Sequence, residues 1–429
     1  MKLKPVKGMQ DILPEEVSRW HIVERRFRDT VALHGFKEIR TPLVELTTLF
    51  QHSTGEGTEV VEKQMFTLEK DRESLSLRPE GTPSCARAYI NQTVYAREPV
   101  TRWFYLGPMF RAERPQRGRQ RQFHQAGCEV YGDQGPACDA ELIDMLYGFL
   151  TSLGIAGLRV SINSLGNQET RAKYREVLLS YLTPQADQLS PHARERFEAN
   201  PLRVLDSKDE RDQAVALGAP SILDVLDPAD QAHFSGLKAG LDALGTPYEV
   251  DPKLVRGLDY YSRTTFEISA QSGELGAQNA LLGGGRYDAM LQGLGGPDTP
   301  AIGFAIGLER ILLAMPHTVE EPACWVSIAP LGDTAIPKAL VLAKQLRQLG
   351  LPAEVDARGN SLKSMLRRAN SAQARFCVVM GEAELSRGVV QLKDLRQHQQ
   401  EEVEQTEVAR YLKALVDGTQ RGQESEAQV

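Results

Sequence analysis

Between Glu15 and His34 the apolar residues Val17, Trp20, Val23, Phe27 and Val31 recur every three or four positions. That spacing lines one face of a helix, and Gly35 follows where a helix stop belongs. FKEIRTPLVE comes next and reads as strand, with Pro42 confining it to an edge or a bend. Over residues 103–110 and 125–131 aromatic and aliphatic residues favour pleated structure, so a hairpin with a long polar loop is predicted. From about 167 to 245 the pattern changes to charged, leucine-bearing stretches such as TRAKYREVLLSYL and ADQAHFSGLKAGLDAL, broken by Pro184, Pro191, Pro201 and Pro220. Strand-forming sequence returns at 248–250, 254–269 and 279–282, which places this helical insertion inside a mixed, largely antiparallel sheet domain. From Cys324 onward WVSIAP, AIPKALVLAKQLRQLG, PAEVDA, SLKSMLRRANSA and FCVVMG alternate as strand and helix, predicting a small α/β domain with parallel strands after a boundary at 316–322. The polar ending GTQRGQESEAQV is expected to be disordered.

Composition narrows the class. Of 429 residues 41% are hydrophobic and 25% charged, the proportions of an ordinary globular chain too long for one core. No apolar run approaches the roughly 20 residues of a membrane helix. The opening MKLKPVKGMQDILPEE has no apolar signal core, so a cytoplasmic protein with no membrane partner is expected. Five scattered cysteines, with no CxxC pair, argue against a zinc finger or a disulfide framework. The net charge of −7 leaves room for an anionic partner, because local fields rather than totals govern steering.

One such field is plain in WFYLGPMFRAERPQRGRQRQFHQAGCEVYG, residues 103–132. Arg111, Arg114, Arg117, Arg119 and Arg121 crowd the loop of the predicted hairpin, and only Glu113 offsets them locally. Guanidinium groups pair bidentately with phosphate and never lose their charge. A solvated loop is the plain reading of a charge run; the nearby aromatics and poor local neutralisation favour a polyphosphate or a nucleic-acid backbone.

GPMFRAERPQRGRQRQFHQ resembles motif 2 of the class II aminoacyl-tRNA synthetases, in the wording of the histidyl-tRNA synthetases. LVRGLDYYSRTTFE (254–267) is similar to that family's histidine-specific signature, AIGFAIGLER (301–310) to motif 3, GFKEIRTPLVE (35–45) to motif 1, and VKGMQDILPEE to the family's opening. The resemblance covers nearly the whole chain. It implies an α/β (α+β) chain: a catalytic domain (1–166 and 246–320) with a mixed antiparallel sheet, a helical insertion (167–245), an anticodon-binding α/β domain (322–417) and a tail (418–429). It implies a homodimer built through motif 1, although the same helix read alone is an ordinary core helix.

The implied reaction joins L-histidine to ATP, releasing pyrophosphate, and passes the histidyl group to tRNA(His). Arg111 would grip the α-phosphate, Glu113 reach the adenine side from the same strand face, and Phe123 and Arg310 sandwich the adenine. Arg256 would stand beside the α-phosphate and the histidine carboxylate as a fixed cation; read alone it fits a pair with Asp259. The imidazole needs a donor and an acceptor satisfied together, a task for Glu129 and a tyrosine. Strand alternation allows one of Tyr260 and Tyr261 to face the pocket, and Tyr261 is the choice. Gln125 would reach the amino or carboxylate group, Glu80, Gly81 and Thr82 the ammonium, and Tyr287 would line the pocket. The glycines of GGGRYD (283–288) are too many for a stable strand interior and suggest close backbone approach to a ligand, or a turn. His124 is structural or a loop brace. Gln116, Arg117, Arg119 and Arg121 would meet the tRNA acceptor end; Arg358, Lys363, Arg367 and Arg368 would meet the anticodon through phosphate contacts, or form a solvated basic face. Magnesium is expected with ATP, with no carboxylates identifiable as its ligands.

Two other readings stand beside the ligase. A paralogue of this family serves as regulatory subunit of the ATP phosphoribosyltransferase of histidine synthesis, but it typically lacks the anticodon domain and departs from the catalytic signatures. An ATP-dependent ligase for another acceptor is the third, and nothing in the sequence names that acceptor.

Overall fold

The computed structural model describes residues 3–54, 60–198, 200–205, 207, 209–255, 260–271, 279–316, 325–358 and 361–426. The chain divides into two compact units, Met1–His317 and Thr318–Val429.

The opening helix, Pro14–Leu33, starts with Pro at its first position and Glu15 and Glu16 in its first turn, where a missing N–H and negative charge both suit the helix start. Trp20, Val23, Phe27 and Val31 are its buried stripe. Phe27 meets Phe104 and Phe149 edge-on at 6.0 and 5.7 Å, so this face lies in its own chain's core. The segment after it does not form one strand. Pro42 separates β1 (Lys37–Glu38) from β2 (Val44–Leu46), and the two join different sheets.

β2 forms a three-stranded sheet with β3 (Phe66–Lys70) and β4 (Glu73–Leu77), in the order β2-β4-β3. The main sheet has eight strands in the order β1-β5-β6-β11-β10-β9-β7-β8. Its members are β1, β5 (Thr101–Phe110), β6 (Gln122–Tyr131), β7 (Leu158–Ser164), β8 (Glu249–Val250), β9 (Ser262–Ala270), β10 (Ala280–Arg286) and β11 (Ala301–Gly307). Only the outermost pairs, β1 with β5 and β7 with β8, are parallel. The triple glycine expected to be unfit for a strand interior lies inside β10, paired on both sides. A Cβ on Gly284 would stand 2.4 Å from the Gly303 carbonyl and 2.6 Å from Phe266, so the close approach made possible there is strand to strand.

Between β7 and β8 the chain is helical, in two kinds of packing. Leu165, Tyr174, Leu178, Leu182, Leu189 and Phe197 belong to a small core of their own. The last helix, Pro228–Leu244, instead sends Phe234, Leu237 and Leu241 into the main core beside the helix Pro136–Ser152. Gly240 faces Ala140 so closely that a Cβ would come within 2.7 Å.

The second unit has a five-stranded sheet, β13-β12-β14-β15-β16. β12 (Val326–Pro330), β13 (Ala353–Val355) and β14 (Phe376–Met380) are parallel, as the alternating pattern predicts. The antiparallel additions β15 (Val389–Asp394) and β16 (Gln399–Glu404) escaped the sequence reading, since QQEEVE lacks an apolar face. Residues 418–426 of the ending expected to be disordered continue the final helix, Val408–Glu426: Val408, Ala409, Leu412 and Val416 anchor its first turns in the core, and no proline stops it. No helix among the described residues is long and apolar enough to cross a membrane. Truncating the buried Phe27 to alanine should cost about 3 to 5 kcal/mol in urea denaturation; a loss below about 1 kcal/mol would place that face outside the core.

Candidate active site

The arginine loop is residues 111–121, between β5 and β6, which pair in continuous register from Thr101 with Tyr131 to Phe110 with Gln122. Gly118, at φ +72°, closes its tip between the bridged residues Gln116 and Arg119. β5 ends at Phe110, so Arg111 and Glu113 sit on the loop rather than on one strand face. Arg111 donates through Nε to the Pro79 carbonyl at 3.0 Å, and its guanidinium lies 5.3 Å over the Phe123 ring. Arg310, at the start of the helix Leu308–Ala314, reaches the same place from far along the chain. It donates to the carbonyls of Ala280 and Gly118 at 2.8 and 3.3 Å. Burial lowers the Arg310 pKa, and the positive fields of Arg119 and Arg111 lower it further against the pull of Glu113. Like charges held together in this way make a receptor for a polyanion. Phe123 thus carries Arg111, and Arg310 stands across from it at the loop tip.

Beside the loop lies a small polar pocket in the sheet. Glu129, fully buried on β6, accepts from the Thr82 hydroxyl at 2.6 Å and from the Tyr287 hydroxyl at short range. Room for its carboxylate exists because its partner on β11 is Gly303, where a Cβ would fall 1.8 Å from Oε2. Glu80 accepts from Tyr260 at 3.1 Å. Gln125 is buried, and its Oε1 has no hydrogen-bond partner among the described residues. Tyr105, absent from the sequence-based set, is buried against Gly81 and Gly127, where a Cβ would meet its ring at 2.3 and 2.4 Å. Its one sequence signal is the pairing of an aromatic on β5 with a glycine on β6.

Tyr260 and Tyr261 both precede β9, so alternation along a strand does not apply to them. Tyr260 faces Glu80 and Tyr287, whereas Tyr261, the sequence-based choice, packs in the core of the helical insertion. Arg256 lies outside the described residues, as does its neighbour Asp259. His124 braces the loop base: its ring and backbone N–H meet the Glu309 carboxylate at 3.0 and 2.9 Å, and Trp20 packs edge-on at 4.8 Å. Cys85, Cys128, Cys138 and Cys377 are buried free thiols, and burial raises the pKa of each. No cluster among the described residues offers three or more metal-ligating side chains.

Comparison with known proteins decides what this site belongs to. A family model described as Histidyl-tRNA synthetase matches residues 8–311, and one described as Anticodon binding domain matches residues 325–415. The chain belongs to the histidyl-tRNA synthetase family. A histidine–tRNA ligase of Sorangium cellulosum is 57% identical over 414 residues, 96% of each chain. Another, from Cyanothece, is 46% identical over 94% of each. The crystal structure of apo S. aureus histidyl-tRNA synthetase matches with a TM-score of 0.81 at 33% identity, covering 96% of this chain and 100% of that one. An ATP phosphoribosyltransferase regulatory subunit/histidyl-tRNA synthetase from Bacillus halodurans C shares the fold, with a TM-score of 0.64 at 21% identity over 89% of this chain and 98% of that one.

Among the loop and second-unit cations of this synthetase-family chain, positions differ. Arg119 turns inward to Glu113 at 3.5 Å, and Arg121 donates to the Glu113 carbonyl at 3.2 Å. Gln116 and Arg117 stay exposed at the tip. In the second unit Arg358 and Arg368 both bind the buried Asp356, at 2.9 and 2.6 Å, while Lys363 and Arg367 are exposed on the helix Leu362–Ser371.

Burial raises the Glu129 pKa from 4.5 to about 8, the hydrogen bonds from Thr82 and Tyr287 only partly opposing it. Between those values the folded chain keeps a proton that the unfolded chain has lost, so this group's contribution favours folding at low pH and fades as pH climbs to about 8. Glu129→Gln removes the titration. In urea denaturation at several pH values, the variant's stability relative to wild type should rise through that window; a constant difference would show an ordinary carboxylate.

Proposed function

We propose that the arginine cluster and the Glu129 pocket together activate L-histidine with ATP and pass it to tRNA(His), in the cytoplasm. The observation that carries this reading is their adjacency: one hairpin, β5–β6, carries both the arginine loop and a buried carboxyl that accepts from the Thr82 and Tyr287 hydroxyls. The histidine carboxylate attacks the α-phosphorus, the bond to the β-phosphate breaks, and pyrophosphate leaves. A ribose hydroxyl then attacks the acyl carbon and AMP leaves.

Arg111, Arg310 and Arg256 neutralise the phosphate charge that builds up in the first step. Phe123 gives the adenine a flat face, and Glu113 holds Arg119 within the cluster. For the amino acid, Glu129 and Tyr287 satisfy the imidazole, while Glu80, the Gly81–Thr82 turn and Gln125 take the ammonium and carboxylate. Tyr260 rather than Tyr261 shapes this pocket through its bond to Glu80. Magnesium enters with ATP and keeps mainly phosphate and water oxygens. Gln116 and Arg117 meet the acceptor end, and Lys363 and Arg367 the anticodon arm.

A second copy completes the assembly. Leu43, Val44, Leu46 and Leu68 are each more than two-fifths exposed on or beside the three-stranded sheet, an apolar face suited to a homodimer. Sedimentation should give twice 47.5 kDa, and Leu46→Glu should shift the protein toward the single-chain mass; an unshifted dimer would move the interface elsewhere.

ATP–pyrophosphate exchange tests the chemistry. Histidine alone among the amino acids should drive it, and Arg310→Ala or Arg256→Ala should slow it by about a hundredfold or more. Absence of exchange in folded protein that still binds histidine would favour a regulatory role.

A further inference from the structure

The first two turns of the helix Pro228–Leu244 carry two buried polar side chains, Asp230 and His233, on the same face as Phe234, Leu237 and Leu241. Asp230 reaches β9 directly, and His233 reaches β10 through Asp139 on the helix Pro136–Ser152. Asp230 receives Arg263 Nε on one oxygen at 3.1 Å; on the other it accepts the Thr170 hydroxyl at 2.9 Å and the Asn167 N–H at 2.8 Å. Arg263 adopts φ +45°, a conformation costly for a non-glycine residue, and its backbone N–H and carbonyl are held by Gly166 and Leu165 at 2.8 and 2.7 Å. It stands three residues beyond Tyr260.

His233 Nε2 lies 2.9 Å from Asp139, whose two oxygens receive Arg286 at 3.0 and 2.7 Å. Arg286 is wholly buried and spends its remaining donors on the Asp133 and Gly135 carbonyls at 2.9 Å and on Asp288. The next residue is Tyr287, whose hydroxyl meets Glu129. The two strands close on each other at this level: Arg286 pairs with Ser262, and Ser262 Oγ accepts from the Asp288 N–H at 3.3 Å. The rings of Tyr260 and Tyr287 come within 5.7 Å just beyond.

We infer that Asp230 and His233 are positioning residues: through Arg263, and through Asp139 and Arg286, the first two turns of this helix set the spacing of Tyr260 and Tyr287, and so the fit of the amino acid. The inference rests on the histidine-activating reading above. It explains why a fully buried arginine and a strained arginine occur at the ends of adjacent strands, each tied to the start of the same helix. Neither Asp230 nor His233 touches the arginine cluster, so the helix acts on the amino-acid side of the site and leaves ATP binding alone.

Arg263→Gln removes one arm while leaving Asp230 its bonds to Thr170 and Asn167. His233→Phe removes the other, and His233→Gln keeps a donor for Asp139. Histidine Kd by calorimetry, KM for histidine and for ATP in pyrophosphate exchange, and the melting temperature are measured for all three. Arg263→Gln and His233→Phe should raise the histidine Kd and KM about tenfold with the ATP KM nearly unchanged, and His233→Gln should stay near wild type, as expected for misplaced binding groups. Unchanged histidine affinity in both disruptive variants overturns the inference. So does a parallel rise in both KM values with a fall in melting temperature, which marks plain destabilisation. Wild-type protein that binds histidine without exchange refutes the ligase reading alone, because calorimetry still reads the two arms.

Discussion

Glu129 is a carboxyl group placed in an interior strand of a sheet, out of reach of water, and much of the first unit is arranged around that fact. An ionised carboxylate there would carry a large desolvation cost, so the fold keeps it protonated toward neutral pH and surrounds it with hydroxyls. The demand spreads to its neighbours. β11 has to present Gly303 opposite it, because any side chain would overlap the carboxylate, and Gly127 and Gly81 have to leave space for the Tyr105 ring. A strand slip of one residue would replace these glycines and bury a different set of side chains, so the pocket and the sheet register specify each other.

The neighbouring arginine cluster obeys the opposite logic. Arg111 and Arg310 are stabilised by backbone carbonyls of Pro79, Ala280 and Gly118, which lend partial negative charge without neutralising either group. Glu113 and Glu267 supply the carboxylates whose pull on Arg310 opposes the guanidinium fields. Such a set repels itself until an anion arrives. The Glu129 pocket is lined by a buried carboxyl and hydroxyls and the cluster by guanidinium groups, and β5 and β6 contribute to both.

Much of this was legible from residue pattern, and the exceptions have particular causes. The hairpin, the loop and the opening helix follow from local periodicity, and the parallel strands of the second unit from alternation. Alternation failed for Tyr260 and Tyr261 because they precede the strand, which begins at Ser262. The triple glycine misled because composition gives the weakness of glycine in a strand but not the identity of what crowds it, which here is Phe266 and the Gly303 carbonyl. Arg358 and Arg368 looked like free cations because Asp356, which binds both, gives no sign in the sequence of being buried. The last two misses turn on a partner distant in sequence or on the depth of a residue in the core.

Fold alone does not separate a ligase from a regulatory relative, since a protein titled as both shares this architecture at 21% identity. Electrostatic cost does separate them. A regulator gains nothing from guanidinium groups crowded around Arg310, which weaken one another in the absence of a polyanion. Nor does sensing a small amino acid require a second unit matched by an anticodon-binding domain over residues 325–415. The chain carries both features together with the buried Glu129 carboxyl. Their joint presence is economical only where histidine, a triphosphate and a nucleic acid are handled by the same molecule.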